Sequence, residues 1–209
     1  MSCSLLIIGA GGHGRVTADA AELSGKWGKI AFLDDRYPEI NSSGRWPVIG
    51  VLEGIATLVN KWSDFVVAIG DNVVRSENQE KLRSLCLNVS TVIHPSAQIA
   101  SDVMLGDGTV VFANAVINTG SVLGKACVVN TGSTVDHDCQ LGNGVHISPG
   151  VNLAGNVKVG DRSWVGIGAT VINGCTIGND AMIAAGAVVI NNINNGLIVS
   201  GVPARELVK

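Results

Sequence analysis

The sequence predicts two domains: an α/β domain over residues 1–92 and an all-β parallel solenoid of hexapeptide repeats over residues 93–209. Three observations predict them. Every sixth residue from Ile93 to Val189 is a branched aliphatic, seventeen positions without an exception. Gly106, Gly124, Gly142, Gly160 and Gly178 recur at a spacing of eighteen. Near the N-terminus a turn rich in glycine, Gly9-Ala10-Gly11-Gly12-His13-Gly14, separates an apolar run from a helical pattern.

The N-terminal elements follow in order. Residues 4–9, Ser-Leu-Leu-Ile-Ile-Gly, read as a buried strand. The turn after it matches G-x-G-x-x-G, and a helical pattern runs to about Leu23. A second strand at residues 30–33 ends on Asp34-Asp35, about 20 residues after the last glycine of the turn. A helix is expected at 52–61, a strand at 65–69, a helix at 73–87 and a short strand at 90–93. Strand, turn, helix, strand and acidic end form a nucleotide-binding signature, but only one half of a Rossmann-like fold fits before the repeats. No second mononucleotide unit exists to take a nicotinamide. The domain is therefore read as holding one nucleoside diphosphate with a sugar attached. Backbone N–H groups of Gly11, Gly12, His13 and Gly14 would approach the diphosphate at a helix N-terminus. Asp34 and Asp35 would hold the ribose or base, and Gly70 and Asn72 fall at the same carboxyl edge. The plain alternative is a glycine turn that only packs helix on strand.

A helix repeats at 3.6 residues and a strand at 2, so a locked period of six needs another architecture. A solenoid of very short strands supplies it, with one inward aliphatic per flat face. Three hexads make one coil of eighteen, a triangular prism. The residue two before each aliphatic is small or β-branched, as at Ala115, Ser133, Cys139 and Val151, and fills the space beside the larger side chains. Turn positions such as Gly108, Gly120, Gly132 and Gly150 accept positive φ. The register never slips, so no loop of any size interrupts the prism.

Composition excludes several functions. A net charge of −3 without a basic run gives no footprint for nucleic acid. No apolar stretch reaches the roughly 18 residues of a membrane span. No basic region precedes Leu5–Gly9, which argues against a secretory leader and for a cytoplasmic protein. The five cysteines are odd in number and lack metal-type spacing. Cys127, Cys139 and Cys175 fall in the small-residue slot and read as packing residues in a reducing compartment.

The chemistry is expected at a corner of the prism. His137 and Gly155 lie eighteen residues apart, at one corner of successive coils, roughly 4.8 Å from each other. An imidazole beside a bare backbone N–H can take a proton while its neighbour donates to a developing oxyanion. Asp136 and Asp138 flank the imidazole and can orient it. His146 lies nine residues on, half a coil away, and could approach His137 only from a neighbouring subunit. His94 precedes Pro95 at the domain junction and reads as structural. His94, His137 and His146 are separated by 43 and 9 residues, not by multiples of a coil, so the several His ligands of a zinc hydrolyase on such a prism are missing.

With these residues in view, the chain resembles the NeuD/PglD-like family of hexapeptide-repeat acyltransferases over essentially its whole length. The likeness rests on Gly9-Ala-Gly-Gly-His-Gly14, Phe32-Leu-Asp-Asp35, Ala68-Ile-Gly-Asp-Asn72, Val129-Asn130-Thr131, Asp136-His-Asp138, Ala154-Gly-Asn-Val157 and Gly201-Val-Pro-Ala204. The resemblance implies a half-Rossmann domain followed by a left-handed β-helix, and a homotrimer with active sites between subunits. It implies acetyl-CoA as co-substrate, no metal, and a nucleotide-linked 4-amino-4,6-dideoxy sugar as acceptor, in bacterial surface-glycan biosynthesis. By the same resemblance His137 is the general base and Asp138 its acidic partner, a position often held by Glu. Gly155 is the backbone donor to the acetyl carbonyl, His146 lies near the thioester, and Asn130 lies on the sugar side. Ile167, Ile183 and Gly186 match the wall along the pantetheine, and Arg205 lies in the tail near the far end of the coenzyme. Ala185 stands where some relatives have Gly. Two rivals share the fold. An O-acetyltransferase of sialic acid or polysaccharide would use the same His137, but the acidic pair of the N-terminal domain favours a nucleotide-linked acceptor. A nucleotide-sensing scaffold would have no need of the Asp-His-Asp corner.

Overall fold

The computed structural model describes residues 3–207. They divide into two compact units between Pro95 and Ser96, three residues beyond the boundary expected at 92. In the N-terminal unit, β1 (Cys3–Ile8), α1 (Gly12–Leu23), β2 (Trp27–Leu33), β3 (Ser42–Ser43), β4 (Trp46–Pro47), β5 (Asp64–Val67), α2 (Asn72–Ser84) and β6 (Val92–Ile93) follow in order. The main sheet runs β2-β1-β5, all parallel. β1 is central, and its Leu5, Leu6, Ile7 and Ile8 are buried on both faces, which is why the run is continuously apolar.

Two local expectations are corrected. Residues 52–61 form two 3-10 helices, Leu52–Thr57 and Val59–Lys61, where a single helix was expected. The buried Leu52 and Ile55 are three residues apart, a spacing that three residues per turn brings onto one face. The hairpin β3–β4 was not foreseen. It turns through Gly44 at φ +62° and packs Trp46 edge-on against Phe32 with ring centroids 6.2 Å apart.

In the C-terminal unit the two-residue strands from β7 (Gln98–Ile99) to β22 (Val188–Val189) recur once per hexad. Each pairs in parallel with the strand eighteen residues away, as Ile117 does with Val135 and Val135 with Leu153. The strands stack into three sheets, the faces of the prism. β23 (Ile198–Ser200) extends one face, and β24 (Arg205–Glu206) returns antiparallel along it. The six-residue aliphatics from Val111 to Val189 form one buried cluster with the small-residue slots, and Ile99 and Leu105 pack against it partly buried. Ile93, the expected first member, belongs to the N-terminal unit and is 36% exposed, so the interior series begins at Ile99.

Buried hydroxyls in the slots stitch coil to coil. Thr109, Ser121 and Ser163 are fully buried and donate to the carbonyls of Gly124, Asp136 and Gly178. The glycines spaced by eighteen serve a different end from the positive-φ turns. A Cβ on Gly124 would stand 2.7 Å from the carbonyl carbon of Gly142 and 2.8 Å from the Asn143 nitrogen. At this corner the Oδ1 atoms of Asn143, Asp161 and Asn179 each accept from a backbone N–H of the coil before, a ladder that leaves no space for a methyl. Gly124→Ala is therefore expected to lower stability by about 1–3 kcal/mol. Urea unfolding of the two proteins checks it, and an unchanged midpoint would show that the coils can separate without cost.

Cys127, Cys139 and Cys175 are free and buried, and burial pushes the Cys139 and Cys175 thiols up. Among the described residues no helix is long and apolar enough to cross a membrane. No group of three His, Cys, Asp or Glu side chains among them is arranged to hold a metal ion.

Candidate active site

His137 lies between β13 (Thr134–Val135) and β14 (Gln140–Leu141), on the corner between two faces. Asp138 takes φ +59° there, in the left-handed region that Asp tolerates better than most residues. Its carboxylate reaches back to the preceding side chain, with His137 Nδ1 and Asp138 Oδ2 2.8 Å apart. An ionised carboxylate only accepts, so Nδ1 donates and the neutral ring carries its lone pair on Nε2. Gly120, one coil earlier, makes the room: a Cβ on it would collide with Asp138 Oδ1. Asp136 braces the other side. Its Oδ1 accepts from the His137 N–H at 2.8 Å and from Asn118 Nδ2 at 2.9 Å.

The next coil completes the corner. Asn156 N donates to the His137 carbonyl at 2.9 Å, and the imidazole lies over Gly155, where a Cβ would strike Nε2. Gly155 is buried, and among the described residues its N–H finds no internal acceptor. A basic nitrogen and an unsatisfied N–H donor thus share one corner, which suits a proton transfer coupled to growth of negative charge on a carbonyl oxygen.

The hydrogen bond to Asp138 is the largest influence on His137. With the charges of Asp136 and Asp138 it raises the imidazole above its ordinary 6.5, against a smaller opposing effect of desolvation. A base must be neutral to act, so a rate that depends on His137 rises with pH through a midpoint above 6.5. Asp138→Asn removes the largest cause, and the midpoint is expected to move down. Profiles of kcat/KM against pH, taken on the same amine for both proteins so that the substrate's own titration cancels, check this. A midpoint that does not move would remove Asp138 from the dyad.

His146 is on β15 (His146–Ile147), on another face of the same prism, and is 7% exposed. Its Nε2 lies 3.4 Å from Asn130 Nδ2, so Asn130 contacts His146 within the chain. Ile167 is 62% exposed beside the open Gly186, whose N–H donates to the Ile167 carbonyl at 2.8 Å. Ile183 differs from expectation. Its side chain is fully buried in the core as one of the six-residue series, so only its backbone can form part of a surface wall. Arg205 is exposed on β24 and donates from Nη1 to the Ala204 carbonyl.

The carboxyl edge of the N-terminal sheet holds the second cluster. No side chain caps α1 and no acid sits in its first turn, so the positive end of the helix is open. Gly11 and Gly12 are exposed and face open space. Gly14 is buried against the Gly9 carbonyl and Phe32, so its missing Cβ serves the packing of helix on strand. Burial, and then the Arg75 guanidinium, lower the His13 imidazole to about 4, so that it is neutral near pH 7. Arg75 is itself 1% exposed and donates to the carbonyls of Ile69 and Gly70 and to Asn72 Oδ1 at 2.8 Å. Asn72 is therefore occupied in fixing the loop, while Gly70 stays open.

A hollow of about 310 Å³ lies at this edge, lined by Gly9, Asp34, Asp35, Arg36 and Ile69 among others. Asp34 Oδ2 accepts from Ala10 N and Arg36 Nη2, and Oδ1 accepts from Arg36 N and Nε. The Arg36 hydrogen bond, foremost, holds the Asp34 carboxyl down to about 2. A carboxylate has about four acceptor positions, and all are taken, whereas Asp35 is exposed at the hollow. A larger hollow of about 650 Å³ lies on a prism face between Gln140, Lys158 and Thr176 and holds no base–donor pair.

The wound prism of hexads with its His-carboxylate corner defines a hexapeptide-repeat transferase. Family profiles agree: the PglD N-terminal domain matches residues 4–82, and the bacterial transferase hexapeptide (six repeats) matches residues 156–191. The acetyltransferase domain of PglB from Neisseria gonorrhoeae, solved in complex with acetyl coenzyme A, is 41% identical. That likeness covers 99% of this chain and 100% of that one, with a TM-score of 0.96. A point variant of perosamine N-acetyltransferase from Caulobacter crescentus, in complex with CoA and GDP-perosamine, is 36% identical over 99% of this chain and 97% of that one, with a TM-score of 0.95. UDP-N-acetylbacillosamine N-acetyltransferase of Bacillus subtilis is 34% identical over 112 residues, 53% of this chain. The match spans about half the length of that curated relative, 51%. The chain belongs to the PglD-like family of hexapeptide-repeat acetyltransferases. Its fold is that family's half-Rossmann domain and left-handed parallel β-helix, the fold class the sequence predicted.

Proposed function

We propose that this chain is an acetyl-CoA-dependent N-acetyltransferase acting on the C4 amine of a nucleotide-linked 4-amino-4,6-dideoxy sugar. One observation carries the reading: the Asp138-anchored imidazole of His137 presents Nε2 over the unsatisfied N–H of Gly155. The relatives solved with acetyl coenzyme A or with CoA and GDP-perosamine support both substrates.

Transfer is direct. The amine nitrogen attacks the thioester carbonyl carbon, forming the C–N bond. His137 Nε2 takes the proton from that nitrogen, and the Gly155 N–H holds the oxygen as charge grows on it. The C–S bond then breaks, and the protonated imidazole returns the proton to the leaving thiolate. Exposed Ile167 and Gly186 give the pantetheine an apolar ledge. In the N-terminal domain the open end of α1 takes the diphosphate, and Asp35 takes the ribose or base. The chain works as a cytoplasmic homotrimer in which a neighbouring subunit supplies His146, and it serves bacterial surface-glycan synthesis. An O-acetyltransferase would use the same corner, and the nucleotide-binding edge is what favours the amine on a nucleotide carrier.

The test is a panel of UDP-, dTDP- and GDP-linked 4-amino sugars with acetyl-CoA, followed by thiol release. Turnover of at least one amino sugar, well above that of sialic acid, is expected. No acceleration by any amino sugar would abandon the N-acetyl reading.

A further inference from the structure

His146 on β15 and Trp164 on β18 (Trp164–Val165) are direct partners in register on one face of the prism. Their strand neighbours Ile147 and Val165 fill the core, so both rings stand on the outer side. The imidazole and indole are parallel within 3°, with centroids 5.1 Å apart. Trp164 Nε1 donates to Ser148 Oγ at 2.7 Å. Ser148 is 2% exposed and lies two residues beyond His146, so this tether fixes the indole over the imidazole.

Asn130 fixes the imidazole from another side. Its Oδ1 accepts from the Thr131 N–H at 2.9 Å, so the amide cannot be turned round, and Nδ2 is the end that faces His146 Nε2. Nδ2 only donates, so this contact favours the ring form in which Nε2 is the acceptor. Protonating Nε2 would set two N–H groups against each other. Trp164 is 37% exposed on the outer surface of a strand, where the core has no use for so large a side chain.

We infer that Trp164 is a positioning residue for His146: the stack, the Ser148 tether and the Asn130 contact at Nε2 hold the ring in one orientation. The inference rests on the reading of His146 as part of the acetyl-CoA site. It adds Trp164 and Ser148 to the machinery of transfer although neither is required to touch a substrate. Loss of the stack should cost activity through His146 alone.

A double-mutant cycle tests this. Trp164→Leu should lower kcat/KM for acetyl-CoA about tenfold, within the range of coupling between side chains in contact. The KM for the amino sugar should stay the same, and Trp164→Phe, which keeps a flat ring, should recover most of the loss. In the His146→Ala background, Trp164→Leu should have no further effect. An additive loss in that background would show a merely structural role and overturn the inference. So would a Trp164→Leu enzyme as active as the parent beside an impaired His146→Ala. A fully active His146→Ala would instead sink the reading of His146 itself, and the inference with it. The thermal midpoints of all four proteins separate misfolding from lost positioning.

Discussion

Replacing His137 by Ala should lower the rate of acetyl transfer about 10²- to 10⁴-fold, the usual contribution of a positioned general base. Half of the imidazole is open to solvent, with 49% of the side chain exposed, so the thermal midpoint should barely move. The loss should fall on kcat, because a general base acts on a proton that moves only as the nucleophile attacks. His137→Gln keeps bulk without a basic nitrogen at the same place and should be as inactive. If His137→Ala transferred acetyl groups at the parent rate, the corner would be structural and the base would have to be sought elsewhere. The residual activity should lose the pH limb that His137 imposes, because the group that titrates above 6.5 has gone.

Gly155→Ala is expected to be nearly as damaging, for a different reason. The variant keeps its N–H, but the new methyl occupies the space of His137 Nε2 and approaches Cδ2 to 3.0 Å. The imidazole is the freer partner and would swing outward, away from the Gly155 N–H. A displacement near 1 Å at a reacting centre costs about 100-fold, so kcat should fall by about that factor while acetyl-CoA still binds. The backbone at Gly155 does not adopt positive φ, so the substitution carries no conformational strain and the loss reports geometry alone. A Gly155→Ala enzyme with full activity would mean that the imidazole does not rest over this glycine during turnover.

Much of the candidate site was legible from the eighteen-residue spacing, which reaches further than the His137–Gly155 pair. Counting forward from His137 found Gly155. Counting backward from Asp138 reaches Gly120, whose missing Cβ admits the carboxylate, and from Asp136 it reaches Asn118, which braces it. Counting forward from His146 reaches Trp164, the stacking partner. Each is a residue on an adjacent coil, about one strand spacing of 4.8 Å away. In the N-terminal domain no such ruler exists. Asp34 and Asp35 are equivalent as letters, yet only the fold brings Ala10 and Arg36 around the first. Ile183 met two expectations that cannot both hold for one side chain, and the core claimed it because an aliphatic gains more in burial than on a surface.

By itself the sequence determined the prism, its coil length, the side chains that enter it and the corner that bears His137, because those follow from a strictly local alternation of inward and outward positions. Only the tertiary structure decided which nitrogen of His137 meets a carboxylate, which of two aspartates is open, and which aromatic ring stacks on His146. Those choices depend on which donor or acceptor a neighbouring coil or loop presents, and hydrogen-bond geometry in space, unlike burial along a strand, leaves no period in the chain.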